Sequence, residues 1–168
     1  ELADVNGEEM MNHFPDAHFL NERYIPLNEK LVLVGMNGWY DYRFSELKEL
    51  DAIVRMKKLY WYDRFIQREG TDLEVNDRLL QETKNLLDIL SAKQLKVIFS
   101  THFVPKKDFI VYQSAPYERW NNLNAFLGSE SLGDLLDQYD NITHVVFGHT
   151  HRRFADKVIG GEIGRAHV

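Results

Sequence analysis

"THVVFGHTH", residues 143–151, joins a run of β-branched and aromatic residues to two histidines, His149 and His151. A short apolar run bounded by a glycine is typical of a strand that is buried on both faces of a parallel sheet. Two other stretches have the same character, "KLVLVG" at residues 30–35 and "LKVIFS" at residues 95–100. The sequence therefore predicts three buried strands, and the third leads directly into a His-x-His pair.

The segments between the predicted strands carry helical signals. Apolar residues recur at roughly helical spacing from Ser45, a capping residue, to Gly70, where the run stops. Thr71 caps a second predicted helix, and Ser131 caps a short third one. Residues 101–130 are rich in aromatic side chains but show no clear period, which predicts a long ordered loop. Helices that alternate with buried strands predict an α/β domain with a largely parallel sheet.

Composition narrows the functional classes. The chain has 168 residues, enough for one domain, and its 44% hydrophobic and 27% charged residues are typical of soluble globular proteins. A formal net charge of -6 argues against a nucleic-acid partner. The chain has no cysteine, which excludes disulfides and thiolate metal ligands. No apolar run is long enough to span a membrane and no export signal is visible, so we expect a cytoplasmic protein of open oligomeric state.

The two ends of the sequence are unusual. Residues 162–168, "EIGRAHV", are what GAG ATC GGA AGA GCA CAC GTC encodes, and this string begins a widely used sequencing adapter. Our hypothesis is that residues 1–161 form the domain and residues 162–168 are adapter read-through; the alternative is a genuine polar tail. The first residue is Glu1 rather than methionine, so we expect an upstream segment to be missing. Before the tail, "RRFADKVIGG" at residues 152–161 predicts a further strand.

Histidines follow two of the three predicted strands. In open α/β sheets, ligands bind beyond the carboxyl ends of the strands, where His102 and His149 fall. Neighbouring strands lie about 4.8 Å apart, and residues two apart in an extended segment point to the same side, so His151 can join the other two. We therefore predict a metal site with His102, His149 and His151 as ligands. A lone strand-end histidine is more often an ordinary core or surface residue, so the prediction depends on all three together.

Two stretches resemble a known family. "FSTHFVP" at residues 99–105 resembles the lone-histidine motif of the calcineurin-like metallophosphoesterases, and "VVFGHTH" at residues 145–151 resembles their Gly-His-x-His motif. "NGWYDYRF", "YWYDRF" and "NAFLGS" further resemble bacterial phosphoesterases of this family, so the likeness covers most of residues 30–161. The resemblance implies an α/β fold in which two mixed sheets form a sandwich flanked by helices. This chain would hold an incomplete version that lacks the amino-terminal strands.

The resemblance also implies a function, that of a metal-dependent phosphoric ester hydrolase. His102 and His149 would bind one metal ion and His151 a second, and the two ions would generate a hydroxide for in-line attack on phosphorus. The implied cofactors are two divalent ions (manganese, iron, zinc or magnesium), and the implied substrate is a small phosphate ester.

One part of the family pattern does not appear. The family also has an Asp-x-His motif, a Gly-Asp-x-x-Asp motif with a bridging aspartate and a Gly-Asn-His motif, in that order and ahead of every stretch matched here. The chain does not carry that series before residue 30. The series would supply the bridging carboxylate, an asparagine ligand and the histidine that assists the leaving group, so no catalytic general acid is assigned. We therefore expect the parent protein to be an enzyme and this fragment to be inactive.

Two other functions stay open. One is a non-catalytic interaction module of the same fold, although a scaffold has no need of three histidines. The other is an unrelated mononuclear hydrolase with a three-histidine site.

Four further side chains are candidates for substrate contact or for support of the ligands. Asp41 and Arg43 follow the first predicted strand, where Asp41 can orient a ligating histidine or simply be a solvated turn residue. Arg152 follows the His-x-His pair and can bind a phosphate, although neighbouring arginines usually lie on a solvated face. Asn124 lies in the long loop and can form a pocket wall.

Overall fold

The computed structural model describes residues 20–66, 68–159 and 162–166. Its strands are β1 (Arg23–Pro26), β2 (Leu31–Met36), β3 (Lys96–Thr101), β4 (Ile142–Phe147), β5 (Lys157–Ile159) and β6 (Glu162–Ala166). They form a mixed sheet with the order β1-β2-β3-β4-β6-β5. The inner strands β2, β3, β4 and β6 are parallel, and the outer strands β1 and β5 pair antiparallel with their neighbours.

The register of the parallel strands brings their carboxyl ends to one edge of the sheet. Thr101, the last residue of β3, is opposite Phe147, the last residue of β4. Backbone hydrogen bonds continue past the strands: the His102 N–H donates to the Asn37 carbonyl (3.3 Å), and the Gly148 N–H donates to the His102 carbonyl (3.2 Å). The backbone positions of the histidines are therefore fixed at this edge of the sheet.

Helices connect the strands. The α-helices of the described residues are α1 (Leu50–Tyr60), α2 (Asp72–Ala92) and α3 (Glu130–Leu136), and the 3-10 segments are Tyr62–Phe65, Lys107–Phe109 and Glu118–Phe126. The predicted start of α2 is confirmed, because Thr71 and Glu74 form a reciprocal cap. The Thr71 hydroxyl accepts a hydrogen bond from the Glu74 N–H (3.3 Å), and the Glu74 carboxylate accepts one from the Thr71 N–H (2.7 Å).

The first predicted helix is wrong at both ends. The Ser45 hydroxyl accepts a hydrogen bond from the Leu47 N–H (3.0 Å) within a turn, and α1 begins only at Leu50. α1 ends at Tyr60 because Trp61 has an extended backbone (φ -109°, ψ 137°) and packs its ring against buried aromatic residues. Helical spacing of apolar residues continued past this break, so periodicity alone did not reveal it.

The long loop predicted over residues 101–130 is ordered and contains two of the 3-10 segments. It ends at Ser129, whose hydroxyl accepts a hydrogen bond from the Leu132 N–H (3.1 Å) and caps α3. The predicted cap at Ser131 is therefore wrong by two residues, since Ser131 lies inside the first turn of α3.

Two clusters of buried side chains fill the interior. The first, which we name the sheet cluster, joins the strands to α2 and α3 through residues such as Val34, Leu87 and Phe99. The second, the aromatic cluster, lies beyond the carboxyl edge of the sheet and contains mainly side chains from connecting segments. Its buried members are Trp39, Tyr40, Tyr42, Ile53, Val75, Phe103, Ala125 and Phe126.

The α/β class and the three predicted buried strands are confirmed, as is the strand predicted within residues 152–161. β1 was not predicted, and it makes one edge of the sheet antiparallel. β6 falls in the segment attributed to adapter read-through, and its pairing with β4 leaves that attribution a hypothesis. The second sheet and the missing amino-terminal strands also stay predictions. Within the described residues, no helix combines the length and hydropathy needed to cross a bilayer.

Candidate metal centre

Two of the three predicted ligands lie side by side. His102 follows β3 and His149 follows β4, and the parallel register places their rings 4.6 Å apart between centroids. His102 Nε2 and His149 Nδ1 are 2.8 Å apart. Two nitrogens at this spacing share either one proton or one ion, because ligands at 2.0–2.1 Å from a zinc ion lie no more than about 4.2 Å apart.

A backbone carbonyl fixes the tautomer of His149. His149 Nε2 lies 3.1 Å from the Phe126 carbonyl oxygen, which can only accept a hydrogen bond. Nε2 must therefore carry a proton, and in the neutral ring Nδ1 keeps its lone pair. His102 Nε2 then donates to that lone pair, and a metal ion taking its place needs only the other tautomer of His102. A carbonyl that orients a histidine in this way is typical of metal-binding imidazoles.

Both imidazoles are held in the neutral form. Burial lowers the pKa of His149 to about 4, helped by the adjacent His102 and only partly offset by the Phe126 carbonyl and Asp63. Burial also lowers the pKa of His102, which Asp63 partly offsets. At neutral pH each ring therefore has one nitrogen lone pair, which is the form that binds metal.

The aromatic cluster causes this desolvation. The Phe103 ring lies 4.6 Å from the His149 ring and the Trp61 ring lies 6.0 Å from it, measured between centroids. Trp61 in turn donates a hydrogen bond from Nε1 to the Asp63 carboxylate (2.9 Å). Asp63 is the acidic group that partly offsets the lowering of both histidine pKa values, and sequence reasoning missed it. The sequence did offer one signal for Asp63. It lies in "YWYDRF", one of the stretches that resemble the bacterial phosphoesterases.

His151 is not joined to the other two rings. It is exposed, and within the described residues no hydrogen bond or ring contact links it to His102 or His149. His149 and His151 both have left-handed backbone, with φ of 69° and 52°. The alternation assumed for an extended strand therefore ends at Gly148. His151 makes no ring contact with the pair, but its charge is close enough to help lower the pKa of both His102 and His149. Its assignment as a ligand to a second ion stays a prediction.

Asp41 and Arg43 contact α3. The Asp41 carboxylate accepts hydrogen bonds from the Ser131 N–H and hydroxyl, both at 2.8 Å. Arg43 pairs with Glu130 (3.1 Å) and Asp134 (2.7 Å). These contacts tie the loop after β2 to the amino end of α3, and no hydrogen bond in the described part of the chain joins Asp41 to a histidine.

Asn124 and Arg152 line one cavity with a volume of about 180 Å³. Thr150, the residue between His149 and His151, also lines it, whereas neither His102 nor His149 does. Asn124 is buried and donates from Nδ2 to the Val111 carbonyl (3.2 Å). The Arg152 N–H donates to the Thr150 hydroxyl (3.3 Å), so its backbone is tied to the histidine loop.

Two of the family's motif patterns occur in the sequence, and Gly-Asp-x-x-Asp does so out of the family's order. Gly-Asp-x-x-Asp appears at residues 133–137, where Asp134 pairs with Arg43 and Asp137 with Lys106. Both carboxylates are therefore engaged in ion pairs at α3 and its C-cap. Asp-x-His appears at residues 16–18, outside the described residues. Among the residues that are described, no group of three or more His, Asp or Glu side chains is spaced to hold a metal.

The chain was compared with protein families, curated proteins and solved structures. No protein-family model matches the chain, and no curated protein matches it. Among solved structures, it is similar to a dimetal phosphatase from Danio rerio, with 14% sequence identity and a TM-score of 0.44. The similarity covers 86% of this chain and 48% of that one, so the chain spans about half its length. At this TM-score the similarity supports no conclusion; fold and site alone define an α/β protein with paired imidazoles at the carboxyl edge of its sheet.

Proposed function

We propose that the chain is part of a metal-dependent phosphoric ester hydrolase and that His102 and His149 are ligands to one divalent ion. The spacing of 2.8 Å between His102 Nε2 and His149 Nδ1 is the observation that carries this proposal. The described residues fit part of the coordination shell of one ion, since they supply two neutral nitrogens and an orienting carbonyl. They do not fit two ions. The remaining ligands are left to residues outside the described ones, and His151 stays the candidate ligand to a second ion.

The residues around the pair have defined tasks in this proposal. The Phe126 carbonyl holds the proton on His149 Nε2, and the aromatic cluster excludes water from one side of the rings. Arg152 lines the cavity that Thr150 also lines, where its guanidinium suits a phosphate oxygen. A divalent ion, when bound, polarises a phosphoryl oxygen and provides a nucleophile at neutral pH. The substrate class proposed is a small phosphate ester.

Titration of the chain with Mn²⁺ and with Zn²⁺, followed by calorimetry and by histidine NMR, tests the ligand assignment. We expect one equivalent to bind and to shift the His102 and His149 ring signals. His149→Ala and His102→Ala are each expected to weaken binding by at least about tenfold, since each removes a ligand. His144→Ala is the matched control, because His144 lies on β4 near its start and contacts the Thr143 hydroxyl (3.1 Å). Binding that survives both ligand substitutions would refute the assignment, and absence of any binding would favour a non-catalytic module.

Activity assays test the hydrolase part. We expect no turnover of p-nitrophenyl phosphate by this chain, because the described residues include no group of three or more side chains spaced to hold a metal ion. Metal-dependent turnover that His151→Ala abolishes would contradict this expectation and would place a complete centre within the chain.

A further inference from the structure

A second cavity lies between α1 and the beginning of α2, apart from the histidine pair. Its volume is about 320 Å³, at the lower end of the range of roughly 300–1,000 Å³ that is usual for small-molecule pockets. No histidine lines it, and its apolar wall includes Leu50, Val54 and Ile66. Leu50 and Ile66 are each 48% exposed, so this wall faces the opening rather than the core.

Four cations line the same cavity, in a chain whose net charge is -6. Lys57 is neutralised by Asp72, at 2.6 Å. Among the described residues, no carboxylate lies within ion-pair distance of Lys58, Arg64 or Arg68. The cavity therefore has an excess of positive charge that the protein itself does not compensate.

Asp72 does not neutralise the other three cations of the cavity. Its carboxylate already accepts hydrogen bonds from Lys57, from Trp39 Nε1 (2.8 Å) and from the Tyr42 hydroxyl. The carboxylate is thus occupied by its own three donors and pairs with neither Lys58 nor Arg68. Arg64 donates to the Lys58 (3.2 Å) and Leu59 (2.7 Å) carbonyls instead. The amino end of the 21-residue helix α2 adds further partial positive charge at the same place.

Arg68 has the geometry of a ligand-binding arginine. Its guanidinium lies 4.3 Å from the centroid of the Trp39 ring, which is only 2% exposed. A guanidinium stacked on an aromatic face keeps its N–H edge directed outward, where it can bind a carboxylate or phosphate through two hydrogen bonds. Within the described part of the chain, no acceptor is bound to that edge.

We propose that this cavity binds a small organic anion in which a carboxylate or phosphate group is attached to an apolar body. The anionic group meets Arg68 and Lys58, and the body lies against Leu50, Val54 and Ile66. Both parts are required, because an apolar molecule leaves the cations uncompensated and a bare ion leaves the apolar wall in water. This site does not depend on the function proposed for the histidine pair.

Calorimetric titration of the chain with four probes tests the proposal: phenylphosphonate, benzoate, benzyl alcohol and inorganic phosphate. We expect at least one aromatic anion to bind about tenfold or more tightly than both benzyl alcohol and inorganic phosphate, since a hydrogen bond to a charged group contributes about that factor. The order of phenylphosphonate and benzoate identifies the preferred anionic group. Benzyl alcohol or inorganic phosphate binding as tightly as both aromatic anions would overturn the proposal, as would no binding by any probe.

Substitution then locates the site. Arg68→Gln is expected to weaken binding of the preferred anion by about tenfold, and Lys58→Met to weaken it in the same direction. Arg55→Gln is the matched control, because Arg55 is an exposed cation of α1 outside the cavity, and we expect a change of less than about twofold. His149→Ala is also expected to leave binding unchanged, which separates this site from the metal centre. Equal effects of Arg68→Gln and Arg55→Gln, in variants that melt like the parent chain, would overturn the proposal.

Discussion

The sheet cluster and the aromatic cluster are built differently. The sheet cluster consists largely of side chains from strands and helix stripes, such as Val34, Leu87 and Phe99, each fully buried. The aromatic cluster consists mainly of rings from connecting segments that pack on one another, such as Tyr40 against Phe126 at 5.5 Å between centroids. The sheet cluster packs the strands against α2 and α3. The aromatic cluster limits the access of water to His102 and His149. This desolvation favours the neutral form of both rings.

The largest effect is expected in the sheet cluster. Leu87→Ala removes a fully buried side chain of α2 and should lower the free energy of unfolding by about 2–5 kcal/mol, measured by urea denaturation. The His102 and His149 ring signals should stay unchanged in the folded variant, since the cavity forms away from them. Ile89→Ala on the same helix is the control, because Ile89 is 51% exposed and its removal should cost far less. Equal losses for the two variants would show that the sheet cluster is not the main core.

A smaller loss, with a different signature, is expected in the aromatic cluster. Phe126→Leu removes ring contacts with Tyr40, Tyr42 and Trp61 and should lower the free energy of unfolding by roughly 1–3 kcal/mol. It should also shift the ring signals of His149, because the adjacent carbonyl and Trp61 lose their packing.

Phe109→Leu is the matched control for Phe126→Leu. Phe109 is equally buried but belongs to the sheet cluster, where its ring contacts Phe147 at 4.7 Å between centroids. We expect a similar loss of stability from Phe109→Leu with no shift at His149. If both variants shift the His149 ring signals alike, the aromatic cluster has no special influence on the environment of His149.

The smallest effect concerns acid stability. Burial raises the pKa of Asp72, but hydrogen bonds from Lys57, Tyr42 and Trp39 outweigh it and hold that pKa below its usual value. The unfolded chain therefore binds this proton more readily than the folded chain. The stabilisation is complete above the unfolded pKa of about 3.9 and is lost as the pH falls through the folded pKa.

Asp72→Asn should consequently flatten the acid limb of a plot of unfolding free energy against pH. Lys57→Met should flatten it too, since it removes the cationic donor and lets the pKa of Asp72 rise. An acid limb that Lys57→Met leaves unchanged would contradict the role given to this ion pair.

The parts of the fold that depend on regular spacing were predictable from the sequence. Three buried strands and the start of α2 were found because a continuous apolar run or a capping pair carries its own local signal. β1 was missed because "RYIP" is short, polar at one end and half-exposed, as edge strands are. The break after Tyr60 was missed because it depends on the packing of Trp61 against residues distant in sequence.

The candidate site was predictable only in part, for a similar reason. His102 and His149 were paired correctly because parallel strands bring their carboxyl ends together. The Phe126 carbonyl was not predictable, since backbone atoms have no sequence signature and this one lies 23 residues from its histidine. The contact that engages the Asp41 carboxylate was not predictable either, since Ser131 lies 90 residues away in sequence. The role of Asp41 near the site stays a prediction.

The left-handed backbone at His149 and His151 has an evolutionary consequence. A non-glycine residue in this conformation costs about 1–2 kcal/mol, a cost that glycine escapes. Glycine at either position would remove this cost together with an imidazole. Relatives that do not need the imidazoles are therefore expected to carry glycine at these two positions more often than relatives that do.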